Sequence, residues 1–180
     1  MKIVATAIPE VRIVEPRVFA DDRGWFFESW NARVLGESGI DASFVQDNHS
    51  HSRKGVLRGL HYQIEHAQGK LVRVVLGEVY DVAVDLRRSS PTFGHHVGVR
   101  LSADNRRAFW VPPGFAHGFL VLSDSADFLY KTTDYWYPEH ERTLLWNDPA
   151  LGIDWPSTSA PIVAPKDAAG KRLVDADVYA

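Results

Sequence analysis

The sequence predicts a mainly β domain, a sandwich or barrel of many short strands with a few short helices. Three observations carry that expectation. Turn signals recur at close spacing, at Gly55, Gly77, Ser89-Ser90-Pro91, Asp104-Asn105, Pro112-Pro113-Gly114 and Ser123-Asp124-Ser125, which leaves room for strands and little for long helices. The segments between these turns are rich in β-branched and aromatic residues, the types that fit a pleated surface. One of them alternates: Tyr80, Val82, Val84 and Leu86 fall on one strand face, and Asp81, Ala83 and Asp85 on the other.

In chain order, Asn31 to Ser38 is expected to form a short helix. Strands are expected over Lys70 to Leu76, Tyr80 to Leu86, His95 to Leu101, Arg106 to Val111, Gly118 to Leu122 and Asp127 to Thr133. The alternation in Tyr80 to Leu86 predicts a half-buried strand. Asp167 to Asp177 is expected to form a second helix near the end. No repeat or low-complexity linker divides the chain. With 180 residues, 45% of them hydrophobic and 12% aromatic, it can bury one sizeable core, so residues 1–180 are expected to form a single domain.

Charge and composition exclude several function classes. Twenty basic residues against 23 acidic ones give a net charge of −3, so no dominant positive field draws in nucleic acid or a membrane surface. An anionic ligand must be held by a local cluster of cations. The absence of cysteine removes disulfides, thiolate catalysis and cysteine-based metal sites. The opening MKIVATAIPEVRIVEP is interrupted by proline and charge, unlike the apolar core of a signal peptide, and no apolar run reaches membrane-spanning length. A soluble, cytoplasmic protein is the expectation.

The strongest local feature is Arg58-Gly59-Leu60-His61-Tyr62-Gln63, which places a cation, a small residue and an imidazole in one strand. Gly59 permits a bulge or the close approach of a ligand. Strict alternation would send Arg58 and His61 to opposite faces, so a shared pocket requires a bulge, a twist or different reach. Alone, such a histidine is more often hydrogen-bonded and structural than catalytic. In Pro112-Pro113-Gly114-Phe115-Ala116-His117, a rigid turn delivers His117 to an apolar strand. Pro-x-Gly-x-x-His resembles half of the cupin signature, whose other half supplies His-x-His and a glutamate to a metal. Here Gln63 stands where the second imidazole is expected, and Glu65 lies too near His61, so two ligands of a transition-metal site are missing.

Tyr130-Lys131-Thr132-Thr133-Asp134-Tyr135-Trp136-Tyr137 strings aromatics with hydroxyls and charges. Strand tyrosines usually pack, yet a phenol can donate a proton and an aromatic face can stack on a base. Asp22 to Glu28 sets Arg23 and Glu28 around aromatics, and Gln46-Asp47-Asn48 is a second polar cluster. A solvated surface explains both; alternatively Arg23, Arg58 and Lys70 neutralise a diphosphate. His49, His51, His66, His95, His96 and His140 read as surface or structural residues.

The ordered motifs DRGWFFE, QDN, VLRGLHYQ, GEVYDVAVDLRRSSPTFG, VPPGFAHGFLVLSD, YKTTDYWYP, WNDPALGIDWP and PKD resemble those of the dTDP-4-dehydrorhamnose 3,5-epimerase family over nearly the whole chain. So many separated segments in order are far more specific than any one of them. The resemblance implies a cupin-type jelly-roll β-barrel, a homodimer whose N-terminal strand joins the partner's sheet, and catalysis without metal or organic cofactor. It implies a dTDP-4-keto-6-deoxyhexose substrate inverted at C3 and C5, on the route to dTDP-L-rhamnose.

Position by position, the resemblance puts the base on His61, its supporting carboxylate on Asp167, the opposing acid on Tyr130 and the lysine near the ketone on Lys70. Substrate contacts fall on Arg23, Glu28, Gln46, Asp47, Asn48, Arg58, Lys70, His117 and Glu141, and on Trp136, which stands where many relatives have tyrosine. Ala164-Pro165 precedes Lys166-Asp167 where a serine is common. Three rival readings remain open on the residues: a single-centre epimerase of a related keto sugar, a metal-dependent cupin using His61 and His117, and a non-catalytic sugar-binding cupin.

Overall fold

A computed structural model describes all 180 residues. The strands are β1 (Lys2–Ala5), β2 (Arg12–Glu15), β3 (Val18–Asp21), β4 (Gly24–Phe27), β5 (Gln46–Arg53), β6 (Val56–Gln63), β7 (Lys70–Leu76), β8 (Glu78–Asp85), β9 (His96–Ser102), β10 (Ala108–Val111), β11 (Phe115–Val121), β12 (Ser125–Thr132), β13 (Glu141–Thr143) and β14 (Ile162–Val163). Two short α-helices, α1 (Ala32–Glu37) and α2 (Pro165–Ala168), and two 3₁₀ turns, at Pro138–His140 and Leu173–Asp175, complete the regular structure. One sheet runs β1-β2-β10-β7-β12-β5 and the other β13-β6-β11-β8-β9, with β14 added to β6. Strands β3 and β4 form a separate hairpin. No helix is long and apolar enough to cross a membrane.

Three apolar clusters hold these layers. The largest lies between the sheets and joins Val72 and Val74 of β7, Phe109 of β10 and Phe128 of β12 to Ala83 of β8 and Phe115 and Phe119 of β11. A second covers the other face of the β6-β11-β8 sheet, where Leu60, Val82, Val84 and Leu86 meet Leu144, Leu151 and the C-terminal Leu173, Val178 and Tyr179. A third packs Leu35 and Ile40, on and just after α1, against Val14, Leu71 and Trp110.

Strand β8 corrects the half-buried expectation, because both of its faces are covered. Val82 and Val84 enter the second cluster while Asp81, Ala83 and Asp85 are also fully buried, facing the space between the sheets or its margin. Alternation identifies two faces correctly, yet it cannot distinguish a solvated face from a polar interior.

Strand boundaries otherwise shift by a few residues. Strand β10 starts at Ala108, after Arg106 adopts a positive φ of 55°, and β11 starts at Phe115, three residues before the expected Gly118. Helix α1 occupies the expected Asn31–Ser38 window. Its N-cap Asn31 accepts a hydrogen bond from the Val34 N–H at 3.2 Å.

The second expected helix, Asp167–Asp177, is a different structure. It divides into α2, an extended link and a 3₁₀ turn at Leu173–Asp175. Backbone bonds from Lys171 N–H to Thr143 O (2.9 Å) and from Leu145 N–H to Lys171 O (2.7 Å) take the groups a helix would use. Gly170 permits that docking, since a Cβ there would lie 2.9 Å from the Leu145 nitrogen. Strand β1, expected to join a partner's sheet, pairs here with β2 of its own chain at the sheet edge.

Candidate active site

Strand β6 bears the central residues, and its irregular register places them. His117 of β11 pairs with His61, whereas Phe119, two residues on, pairs with Arg58, three residues back. The extra residue makes a bulge, and so Arg58 and His61 line one pocket despite their odd spacing. Gly59 permits it. Its φ is +126°, and a Cβ there would lie 2.6 Å from Gly118 Cα and 2.8 Å from His117 O. No larger residue fits that crossing.

His61 Nε2–H donates to Asp167 Oδ1 at 2.6 Å. The second oxygen, Oδ2, accepts the Gly59 N–H at 3.1 Å. Asp167 is thus tied to the bulge itself, with its carboxylate almost fully buried at α2. Burial pushes the Asp167 pKa up, but the His61 bond and charge, the Gly59 N–H and Lys166 outweigh it, leaving the carboxyl below its ordinary value. With Nε2 engaged by the carboxylate, Nδ1 is the imidazole nitrogen left for proton transfer.

Two lobes of one cleft meet at His61. The outer lobe, about 360 Å³, is lined by Gln46, Asn48, Gln63, Gln68, Trp136 and Glu141. The inner lobe, about 210 Å³, is lined by Ser50, Arg58, His117, Phe119 and Phe128. His61, Lys70 and Tyr130 border both, so they converge where the lobes join. Lys70 is 8% exposed, and its Nζ donates to the His61 carbonyl at 3.4 Å. Burial drives its pKa down to about 8, against the opposing pull of the Asp81 and Glu141 charges. Tyr130 is raised above the ordinary phenol value by burial and by Glu141, with Arg58 opposing.

The structure therefore gathers His61, Asp167, Lys70, Tyr130, Gln46, Asn48, Arg58, His117, Trp136 and Glu141 in or around one cleft. Three expected residues lie elsewhere. Asp47 sits between Gln46 and Asn48 on β5, so alternation turns it to the opposite face, where it accepts from Lys131 Nζ at 2.7 Å. Arg23, at the tip of the β3–β4 hairpin, is solvent-exposed and paired with Asp21 at 2.5 Å. Glu28 follows β4 and is also exposed. Of the diphosphate trio, Arg58 and Lys70 share the inner lobe and Arg23 does not.

Two residues escaped the sequence reading. Asp81 accepts His117 Nε2–H with both oxygens, at 2.9 and 3.1 Å, and Lys166 donates to Glu141 at 2.9 Å. Asp81 carried a signal, a carboxylate between Tyr80 and Val82 in an apolar strand, but its burial was not legible. The secondary histidines are accounted for differently: His49 and His51 are exposed and face Asp127, and His66 stacks on Tyr137 with ring centroids 4.1 Å apart.

The cupin pattern raises the question of a metal, and the donor set does not fit one. No three His, Cys, Asp or Glu side chains come together in a way that could hold an ion. Gln63, at the position of the missing imidazole, donates to His66 O (2.8 Å) and Tyr135 O (3.2 Å) and accepts from Tyr137 N–H (2.7 Å). Its amide anchors the turn that carries Trp136. What the cleft offers is a carboxylate-backed imidazole, a buried ammonium and a phenol around one sugar-sized space.

Comparison with known proteins identifies the family. The model of the family described as dTDP-4-dehydrorhamnose 3,5-epimerase matches residues 5–175. The chain is 65% identical to the dTDP-4-dehydrorhamnose 3,5-epimerase of Pseudomonas aeruginosa, with 99% of each chain covered. It is 57% identical to the protein of the same name from Shigella flexneri, again over 99% of each. The crystal structure of a Legionella pneumophila dTDP-6-deoxy-D-glucose-3,5-epimerase in complex with dTDP-4-keto-L-rhamnose superposes with a TM-score of 0.94 at 56% identity, covering 97% of this chain and 93% of that one.

Proposed function

The chain belongs to the dTDP-4-dehydrorhamnose 3,5-epimerase family, and from that premise we propose that it inverts its substrate with His61 as base and Tyr130 as opposing acid. It is an isomerase of dTDP-L-rhamnose synthesis, converting dTDP-4-dehydro-6-deoxy-α-D-glucose to dTDP-4-dehydro-β-L-rhamnose. The observation that supports these roles best is the convergence of the His61–Asp167 pair, Lys70 and Tyr130 on the junction of the two lobes.

The chemistry follows from the C4 ketone, which acidifies the hydrogens on C3 and C5. One carbonyl activates both centres. His61 Nδ1 takes a proton from carbon, and the electron pair of the broken C–H bond moves to the C4 oxygen as an enolate. Asp167 stabilises the imidazolium formed on His61 and holds its ring. The Lys70 ammonium, itself almost fully buried, stabilises the enolate oxygen. Tyr130 O–H then returns a proton to the same carbon from the opposite face, and the enolate collapses to the ketone. His61 then releases its proton to solvent and the Tyr130 phenolate takes one up, which resets the pair, and repeating the cycle at the second carbon completes the reaction. No oxidant, reductant or cofactor enters the balance.

Gln46, Asn48, Arg58, His117, Trp136 and Glu141 serve as substrate contacts in this reading. Arg58 supplies the fork suited to phosphate, and Trp136, exposed at the mouth, offers a stacking face without the phenol hydroxyl. Arg23 and Glu28 do not reach the His61 cleft of their own chain, yet the hairpin that carries Arg23 exposes Phe19 (51%), Trp25 (57%) and Phe26 (68%). So large an exposed apolar surface favours a protein partner. We place the hairpin of one protomer over the partner's cleft in a homodimer, which would bring Arg23 and Glu28 to the substrate. A charged nucleotide-sugar substrate favours a cytoplasmic location.

Replacing His61 with asparagine tests the base assignment. Solvent deuterium exchange at C3 and C5 should be lost together with turnover, and near-normal exchange would remove His61 from the mechanism.

A further inference from the structure

Strand β8 places a carboxylate where the fold asks for an apolar side chain. Asp81 lies in the inward row between Val79 and Ala83, both members of the inter-sheet core, and it is 0% exposed. A buried carboxylate costs stability unless charge and hydrogen bonds compensate it. Its side-chain hydrogen bonds both come from His117 Nε2. His117 and Lys70 both line the inner lobe of the cleft.

Lys70 has the complementary deficit. Its ammonium is almost fully buried, and its recorded hydrogen bond is a long one to the His61 carbonyl. No carboxylate stands within ion-pair distance of it. Arg58 and His61 of β6, His117 of β11, Tyr130 of β12 and Glu141 of β13 line the cleft with it, and the charges that act on it are those of Glu141 and of Asp81 on β8, behind His117. Two of these are carboxylates, and Glu141 is already bonded to Lys166. Asp81 is the buried one: burial pushes its carboxyl above the ordinary value, the His117 and Lys70 charges pull it back down, and in its ionised form it acts on Lys70 through a low-dielectric interior.

We propose that Asp81 is a positioning residue of the epimerase site: it orients His117 and supplies the buried negative charge that keeps Lys70 protonated. The substrate does not touch it. The proposal rests on the reading of Lys70 as the group facing the C4 oxygen, because only a charged Lys70 stabilises an enolate. A structural role alone would give Asp81 an effect on stability and none on Lys70.

The test is ¹⁵N NMR titration of the Lys70 side chain in the full-length enzyme and in Asp81→Asn, with the resonance assigned by its loss in Lys70→Arg. Asparagine keeps an acceptor for His117 and removes the charge. The proposal expects the Lys70 midpoint to fall by about one pH unit or more, with the alkaline limb of kcat/KM moving down with it. An unmoved midpoint in folded Asp81→Asn overturns it. A midpoint that moves while the kcat/KM limb stays supports Asp81 as counter-charge and contradicts the role given to Lys70. Should Asp81→Asn fail to fold, ¹³C titration of the wild-type Asp81 carboxylate decides: ionised between pH 6 and 8 supports the proposal, protonated there overturns it.

Discussion

His61 and Asp167, 106 positions apart in the chain, meet through an Nε2 to Oδ1 hydrogen bond of 2.6 Å, and the same carboxylate accepts the Gly59 N–H at 3.1 Å. One side chain therefore fixes both the orientation of the imidazole and the bulge that aims it. Replacing Asp167 with asparagine should lower kcat by on the order of 10²-fold with a smaller change in KM, because the charge that stabilises the imidazolium is lost.

The same pair predicts a pH-dependent stability term. The Asp167 carboxyl is held below its ordinary 3.8, and a depressed acid stabilises the fold above its unfolded pKa. That stabilisation is lost as the pH falls through the folded value. In urea unfolding, wild type should exceed Asp167→Asn by a gap that is full at neutral pH and closes as the pH drops below 3.8.

If Lys70 faces the C4 oxygen as proposed, it sets the alkaline side of activity. With its pKa brought down to about 8 by burial, the ammonium deprotonates as pH rises through that value, and kcat/KM should fall in the same window. Lys70→Met should lose on the order of 10²–10³-fold in kcat. Its residual activity should lack this limb in a pH–rate profile.

Gly59→Ala tests the bulge. The substitution adds a Cβ against Gly118 and the His117 carbonyl at a φ of +126°. Strain and overpacking together should cost at least about 2 kcal/mol, read as a lower urea midpoint. An unchanged midpoint would mean that the crossing of β6 and β11 is looser than described.

The hairpin predicts a coupling between assembly and binding. Phe26→Asp should convert the proposed homodimer to monomer in sedimentation velocity, since a charge replaces a side chain that is 68% exposed in the single chain. It should raise KM along with the loss of the dimer, as Arg23 and Glu28 would no longer reach a neighbouring cleft. Arg23→Ala should raise KM while leaving the dimer intact.

Much of this molecule was legible from residue order. β-Branched and aromatic content located strands from Lys70 onward, and α1 lies in the expected Asn31 to Ser38 window. What escaped depends on contacts between distant segments. The bulge that unites Arg58 with His61 exists because Gly59 and Gly118 touch, and the C-terminal helix is broken because Lys171 pairs with Thr143 and Leu145. Asp81 looked like one residue of a solvated face until a second sheet covered it. A contiguous motif also misleads on a strand: Gln46 and Asn48 face the cleft, while Asp47 between them turns to Lys131.

The central claim is that protons leave the sugar to His61 and return from Tyr130 on the other face. Its most direct test is NMR of wild type and Tyr130→Phe with dTDP-4-keto-6-deoxy-D-glucose in deuterium oxide, after chelator treatment, following C3 and C5. Wild type should place deuterium at both carbons with inversion, giving a product that the next reductive step converts to dTDP-L-rhamnose. Tyr130→Phe should still exchange the hydrogens but invert poorly. Normal inversion by Tyr130→Phe, or exchange at a single carbon by wild type, would contradict the account.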